Sequence, residues 1–172
     1  IIDPIQYKKI NKMNNKKIKA FKNFSDFKNY NLINIVIFAI KPQISQLVLR
    51  EFKMLKFKKN TLFISIVAGK KISYFEKNLS KKIKIIRAMP NMPVSVQKGI
   101  TCFISNKNLS NKNKLFASNL FKYLGKVLWL KKDSDIDKVT AISGSGPAYY
   151  FLFIEFLKIA AKRLGLEEKI CE

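Results

Sequence analysis

Three short segments of this sequence combine small, cationic and amide side chains at positions where a cofactor could bind. They are Ala39-Ile40-Lys41-Pro42, Ile66-Val67-Ala68 and Met89-Pro90-Asn91. Each follows a run of apolar, often β-branched residues that is typical of a strand buried in a parallel sheet. Ligands of open α/β sheets bind outside the carboxyl ends of the strands, so we expect the three segments to converge at one edge. Small residues there would admit a flat ring close to the backbone, and Asn91 would orient a reactant by hydrogen bonding. Taken singly, each segment is explained at least as well by an ordinary connection.

A fourth segment, Ser143-Gly144-Ser145-Gly146-Pro147, precedes a strongly apolar stretch. Two glycines near the start of a helix can leave backbone amides free for an anion, and proline suits the first helical turn. A helix cap or kink explains the same pattern. The residues alone leave both interpretations open.

The residue types that are missing exclude several classes of enzyme. The 172 residues contain no histidine, so the commonest general base and the commonest zinc ligand are absent. We therefore predict no metal site, and no hydrolase of the Ser-His-Asp or Cys-His kind if the chain acts alone. The two cysteines, Cys102 and Cys171, form no close pair, which favours a cytoplasmic location. No signal peptide and no apolar run of about 20 residues is found, so we expect no membrane association.

The net charge of +23 raises the alternative of a nucleic-acid-binding protein. The lysines, however, are spread along the whole chain instead of forming one stripe. Arginine, on which specific base contacts depend heavily, occurs only at positions 50, 87 and 163. We therefore interpret the charge as a bias of composition and predict no specific nucleic-acid partner.

Strands and helices alternate over residues 1–131, which indicates an α/β layer with a parallel sheet. Strands are predicted at 33–40, 61–68, 84–87, 100–105 and 127–130, and helices at 7–24, 44–55, 72–79 and 115–124. The last of these helices carries Phe116, Leu120 and Tyr123 on one stripe. Because proline disrupts strands and helices, residues 89–93 are expected to form a rigid loop. From residue 132 only helix is expected, including one helix from about Pro147 to Leu164. That helix is apolar on all sides, so it should pack on other helices and leave a large apolar surface in this chain alone.

In order and spacing, the four segments and their flanks resemble the pyrroline-5-carboxylate reductase family. The matching stretches are 36–43, 64–69, 84–93 and 137–149, and the last two are the most specific. The resemblance implies an α/β fold in which an incomplete Rossmann-type parallel-sheet domain, residues 1–131, is followed by the start of an all-helical dimerisation domain, residues 132–172. It also implies a homo-oligomer built from dimers.

The resemblance further implies an activity and a set of site residues. Members of the family transfer a hydride from NADPH or NADH to the C=N bond of 1-pyrroline-5-carboxylate, which yields L-proline. By resemblance, Ala39, Ile40, Lys41, Pro42, Ile66, Val67 and Ala68 line the cofactor. Asp3 and Pro4 lie near the adenosine ribose or its phosphate, and Asp26 falls roughly where a cofactor-contacting asparagine is often found. Met89, Pro90 and Asn91 lie beside the nicotinamide and are the candidate catalytic residues.

The sequence also departs from the family pattern. Met92 replaces a threonine that is usual in the loop, and neither the glycine-rich pyrophosphate loop nor the later Ser-Pro-Gly-Gly-Thr-Thr loop for the substrate carboxylate is present. We therefore expect a chain that is cut short at both ends and inactive as it stands. The alternatives that stay open are another two-domain Rossmann dehydrogenase of β-hydroxy-acid type, a basic nucleic-acid-binding protein and a decayed remnant.

Overall fold

A computed structural model describes residues 1–171 and contains a five-stranded sheet. The strands are β1 (Ile35–Phe38), β2 (Leu62–Ser65), β3 (Lys84–Pro90), β4 (Gly99–Ser105) and β5 (Gly125–Trp129). The α-helices are α1 (Tyr7–Lys12), α2 (Ser45–Lys53), α3 (Ile72–Asn78), α4 (Asn111–Lys122), α5 (Asp133–Val139) and α6 (Gly146–Arg163). A π-helical turn, Thr140–Gly144, joins α5 to α6. The predicted alternation of strands and helices is confirmed.

The strands lie side by side in chain order, but they do not all run in the same direction. β1, β2 and β3 are parallel, β4 is antiparallel to β3, and β5 is parallel to β4. The predicted parallel sheet is therefore a mixed one, in which β4 and β5 run opposite to β1, β2 and β3. The reason lies in the connection from β3 to β4, residues 91–98, which contains only a short 3₁₀ helix, Met92–Val96. A parallel return would need a crossover of about a dozen residues or more.

Two apolar layers, one on each face of the sheet, hold the helices. Alternate residues of β3 divide between them, as the period of a strand requires: Ile85 faces α2, α3 and α5, whereas Ile86 and Ala88 face α4. The first layer also takes in Ile136 of α5, which is fully buried. The start of the helical region is thus part of the core of the sheet.

Helix α4 turns a different face to the sheet than the sequence pattern predicts. Ala117 and Phe121 are buried, whereas the predicted stripe of Phe116, Leu120 and Tyr123 is exposed. The helix begins at Asn111, where the hydroxyl of Ser110 accepts a hydrogen bond from the backbone N–H of Asn113. Small Ala117 permits the helix to lie close to the strands with Phe121 beside it, so Phe116 and Tyr123 point away from the sheet.

The lysine-rich N-terminal region is mostly not helical, in contrast to the prediction. α1 ends at Lys12, and the side chain of Asn11 then bonds both backbone groups of Ala20. This brings Phe21 back beside Ile2 in a single parallel β-bridge. An apolar groove of about 460 Å³ lies between this bridge and β1.

Helix α6 matches the expectation in its bounds and in its exposed apolar surface. It begins at Gly146, runs to Arg163 and contains no buried residue. Phe151, Phe153 and Phe156 are each more than half exposed. Several large apolar side chains exposed along one helix are typical of an interaction site. In residues 1–171, no helix is both long enough and apolar enough to cross a membrane.

Gly125 occupies a backbone position that other residues rarely adopt. Its φ is +128°, and an added Cβ would lie 2.1 Å from the carbonyl oxygen of Gly99, its partner in β4. Replacing Gly125 with alanine is therefore expected to lower the free energy of unfolding by about 2 kcal/mol in denaturant titrations. The matched change Gly146→Ala, where no atom lies within 4 Å of the added Cβ, should alter it by less than about 0.5 kcal/mol. Equal losses in the two variants would contradict this explanation.

Candidate functional site

The three segments singled out in the sequence meet at one edge of the sheet. The first two follow β1 and β2, and the third forms the end of β3; these three strands are parallel, so their carboxyl ends point the same way. A hydrogen bond of 3.1 Å from the backbone N–H of Ile66 to the carbonyl of Phe38 links the second segment to the last residue of β1, directly before the first segment. The predicted convergence is confirmed.

The first segment presents a small exposed residue followed by a cation. Ala39 and Lys41 are exposed, and Ile40 and Pro42 are half-buried. Pro42 begins a 3₁₀ turn that leads into α2. This turn is fixed by buried Ser45, whose hydroxyl donates to the carbonyl of Pro42 (2.7 Å) and lies 3.0 Å from the hydroxyl of Tyr74 on α3.

The second segment forms a tight turn at the end of β2. Val67 is buried, and its backbone N–H donates to the hydroxyl of Ser65 over 3.2 Å. Ile66 is half-buried and Ala68 is exposed, and Gly69 follows with a φ of +69°. Because Ala39 and Ala68 are both exposed and carry only a methyl group, a flat ring can approach the backbone at both strand ends.

The third segment is partly strand and not wholly the rigid loop that the prolines predict. Met89 and Pro90 belong to β3, opposite Cys102 and Thr101 of β4. The pairing of β2 with β3 ends at Arg87, so Pro90 has a neighbouring strand, β4, on one side only. Its missing N–H is tolerated because the other side has no strand to pair with. The loop begins at Asn91.

The oxygen and the nitrogen of the Asn91 side-chain amide both form hydrogen bonds within the chain. Its Oδ1 accepts a hydrogen bond from the backbone N–H of Ile100 (2.8 Å), and its Nδ2 donates to the hydroxyl of Ser143 (3.1 Å). The side chain therefore orients the loop and links it to the π-helical turn.

The glycine-rich segment forms the junction of this turn with α6. The backbone N–H of Ser145 donates to the carbonyl of Thr140 over 2.9 Å, a bond of the π-helical kind. Pro147 lies in the first turn of α6, as predicted. At Gly144 a Cβ would lie 3.4 Å from the terminal methyl of Met89, so the turn packs closely on the end of β3.

Sequence reasoning missed a buried ion-pair cluster beside this edge. Arg87 is 2% exposed, and its guanidinium donates to Asp133 Oδ1 (2.9 Å), to the carbonyl of Asp133 (3.2 Å) and to Asp137 Oδ1 (2.6 Å). We call Arg87, Asp133 and Asp137 the Arg87 cluster. An arginine inside a buried strand, together with two aspartates four residues apart on a helix, was a signal that could have revealed it.

The acidic residues near the N-terminus are used in local turns. Asp3 Oδ1 accepts from the backbone N–H groups of Ile5 and Gln6, each over 2.8 Å. Asp26 Oδ2 accepts from the N–H of Asn23 over 2.9 Å. Asp3 is half-buried, while Pro4 and Asp26 are exposed. Within residues 1–171, no hydrogen bond joins either carboxylate to the three strand-end segments.

Cys102, although it lies opposite Met89, is not placed to act as a nucleophile. It is 1% exposed, and burial raises the pKa of its thiol. The thiol therefore stays protonated at neutral pH, whereas the reactive form is the thiolate. No group of three or more potential metal ligands of the His, Cys, Asp and Glu types is found over residues 1–171.

Comparison with known proteins gives one consistent match. The family model described as pyrroline-5-carboxylate reductase dimerisation matches residues 133–172. A pyrroline-5-carboxylate reductase of Vibrio alginolyticus is 33% identical over 136 residues, which are 79% of this chain and 50% of that protein. The one from Aquifex aeolicus is 37% identical over 77% of this chain and 48% of its own length. The chain thus spans about half the length of these relatives.

Solved structures agree with the sequence matches. A Plasmodium falciparum pyrroline carboxylate reductase, described with NADP bound, superposes with a TM-score of 0.79 at 32% identity, over 91% of this chain and 58% of the other. A 1-pyrroline-5-carboxylate reductase of Streptococcus pyogenes gives 0.81 at 27% identity, over 95% and 60%. A prephenate dehydrogenase of Aquifex aeolicus, at 11% identity and a TM-score of 0.62, shares the fold.

Proposed function

Because this chain belongs to the pyrroline-5-carboxylate reductase family, we propose that it takes part in the NAD(P)H-dependent reduction of 1-pyrroline-5-carboxylate to L-proline. The observation that carries the proposal is the meeting of three family-type segments at one edge of the sheet. The similar Plasmodium protein is described with NADP bound, which supports a nicotinamide cofactor. Residues 1–131 would bind it, and residues 132–172 would begin the dimerisation domain.

The site residues have separate tasks in this proposal. The segments Ala39-Ile40-Lys41-Pro42 and Ile66-Val67-Ala68 hold the cofactor, with exposed Ala39 and Ala68 giving a flat ring access to the backbone. Asp3, Pro4 and Asp26 contribute on the adenosine side. Met89, Pro90 and Asn91 border the nicotinamide, at the point where the π-helical turn packs on β3.

For this reaction the protein mainly has to position the cofactor and the substrate. A bound reduced nicotinamide would supply the hydride for the new C–H bond at the imine carbon, the electron pair of the C=N π bond would pass to nitrogen, and the nitrogen would keep a proton taken from water. The basicity of the imine lets it be protonated in solution, so a strong protein acid is not required. The side chains that border the reacting centre need only exclude water and hold the two reactants within reach. A site without histidine can do this.

The finer expectations on assembly and location belong to the same proposal. The exposed apolar surface of α6 lies within the residues matched by the dimerisation model, which supports a homo-oligomer built from dimers. Cys102 and Cys171 are both free thiols, in keeping with a reducing compartment and hence the cytoplasm.

The test is an assay of proline formation by the longest chain that the gene encodes. We expect loss of NADPH or NADH absorbance only when 1-pyrroline-5-carboxylate is present, with proline formed in equal amount. A β-hydroxy acid with NAD⁺, and a duplex DNA in a salt-dependent gel shift, serve as the alternative substrates and ligand. Oxidation of the hydroxy acid without any proline formation would overturn the proposal.

A further inference from the structure

The Arg87 cluster joins the sheet to the helical region at the edge proposed to hold the nicotinamide. Arg87 lies on β3, two residues before Met89, and both of its carboxylate partners lie on α5. Asp133 also accepts a hydrogen bond from the backbone N–H of Ile72 at the start of α3, over 3.2 Å. One buried guanidinium thus fixes α5 against a strand and, through Asp133, against a second helix.

The cluster is built so that the buried cation is fully paired. The side chain of Arg87 is 3% exposed, while those of Asp133 and Asp137 are 28% and 51% exposed. No buried side-chain nitrogen or oxygen lacks a hydrogen-bond partner in the part of the chain that the structure describes. The planar fork of arginine matches two carboxylates, and lysine would not reproduce this geometry.

A second attachment joins the segments that directly follow these two elements. Asn91, four residues after Arg87, bonds Ser143, six residues after Asp137. Beside this second attachment, Met89 packs against Gly144. The π-helical turn is therefore attached to the end of β3 through Ser143 and Gly144, and the helix before it is attached through Asp137.

We propose that Arg87 and Asp137 are positioning residues, which set the distance between the end of β3 and the Thr140–Gly144 turn. This inference rests on the proposed function, because that distance matters only if the reacting ring lies at this edge. The other two segments follow β1 and β2 rather than β3, and no member of the Arg87 cluster contacts them through a hydrogen bond in residues 1–171. Loss of the cluster should thus lower kcat and leave the KM for the cofactor unchanged.

The experiment compares three aspartate variants of the longest chain that the gene encodes. Asp137→Ala removes the bond to Arg87, whereas Asp137→Asn keeps an oxygen that can accept it. Asp135→Ala is the matched control, since Asp135 lies on the same helix and pairs with Lys138 instead, over 3.2 Å. Because Asp137 is half-exposed, all three variants should fold.

We expect Asp137→Ala to lower kcat about 10-fold, since a displacement of about 1 Å can cost roughly 100-fold in rate. Asp137→Asn should stay within about threefold and Asp135→Ala within about twofold of the unsubstituted protein, with the KM for NADPH constant throughout. Hydrogen exchange should be faster in Asp137→Ala alone at the amide of Ser145, which is bonded to Thr140.

Each outcome decides one of the two proposals. Equal kcat in Asp137→Ala and Asp135→Ala would overturn the positioning role, as would a loss fully explained by a lower Tm. Faster exchange without any change in kcat would also overturn it. No proline formation by the unsubstituted protein would instead overturn the proposed function, and the exchange rates would still show whether the attachment exists.

Discussion

Replacing Ala68 with glutamate is expected to weaken NADPH binding about 100-fold without unfolding the protein. Ala68 is exposed at the carboxyl end of β2, so the longer side chain meets no core residue. The new carboxylate would face a cofactor that carries several negative charges. At a separation of about 5 to 6 Å near a protein surface, this repulsion amounts to about 3 kcal/mol, which corresponds to roughly 100-fold in Kd. Fluorescence titration with NADPH measures the change.

Two controls separate the position of the carboxylate from its charge. Asn60→Glu places the same group just before β2, at the opposite edge of the sheet, where Asn60 already accepts a hydrogen bond from Lys84 (2.8 Å). Ala68→Ser changes the size of the side chain at the edge without adding charge. Both should bind NADPH within about threefold of the unsubstituted protein. If Ala68→Glu bound as tightly as Asn60→Glu, the cofactor would have to lie elsewhere.

The convergence of the three segments was predictable from the sequence because it depends on local features. Short apolar runs that end at Lys41, Gly69 and Pro90 mark strand ends, and parallel neighbours bring their carboxyl ends together whatever the side chains around them are. Helix α6 was also predictable from local features, because a long apolar stretch that begins at a proline and is apolar on all sides is typical of a helix that packs on other helices.

The direction of β4 and the face of α4 were not predictable in the same way. Periodicity identifies a strand but is blind to its direction, which here depends on the short connection, residues 91–98, that precedes Gly99. For α4, the sequence pattern predicted that Phe116, Leu120 and Tyr123 face the sheet. The helix instead packs through the face that carries Ala117, because this small residue allows close packing. Tertiary packing decides both questions.

The Arg87 cluster was missed because its members are 46 and 50 residues apart in sequence. A charged residue within an apolar strand predicts a partner, but it does not say which carboxylate is brought to it. The same holds for Asn91 and Ser143, which are 52 residues apart. Short motifs were enough to predict the segments, whereas the contacts between them could be identified only from the folded structure.

Replacing Phe103 with alanine is expected to lower the free energy of unfolding by about 4 kcal/mol, the largest stability change that we predict. Phe103 is completely buried at the centre of the layer under α4. Its ring lies 5.0 Å from that of Phe121 and 5.0 Å from that of Trp129, in edge-on contacts with both. Truncation would leave a cavity between a strand and a helix that cannot close without moving both. Urea titration followed by the fluorescence of Trp129, the single tryptophan, measures the loss.

Phe116→Ala is the matched control for this change. It also removes a phenyl ring, but from a position on α4 that is 47% exposed. It should cost less than about 1 kcal/mol. Phe103 is also the β4 partner of Ala88, which lies directly before Met89, so the weakened layer supports the strand end proposed to border the nicotinamide. In the longest chain that the gene encodes, we therefore expect Phe103→Ala to lose the proposed proline formation at a lower temperature than Phe116→Ala. Equal losses of stability in the two variants would show that this layer does not carry the packing energy assigned to it.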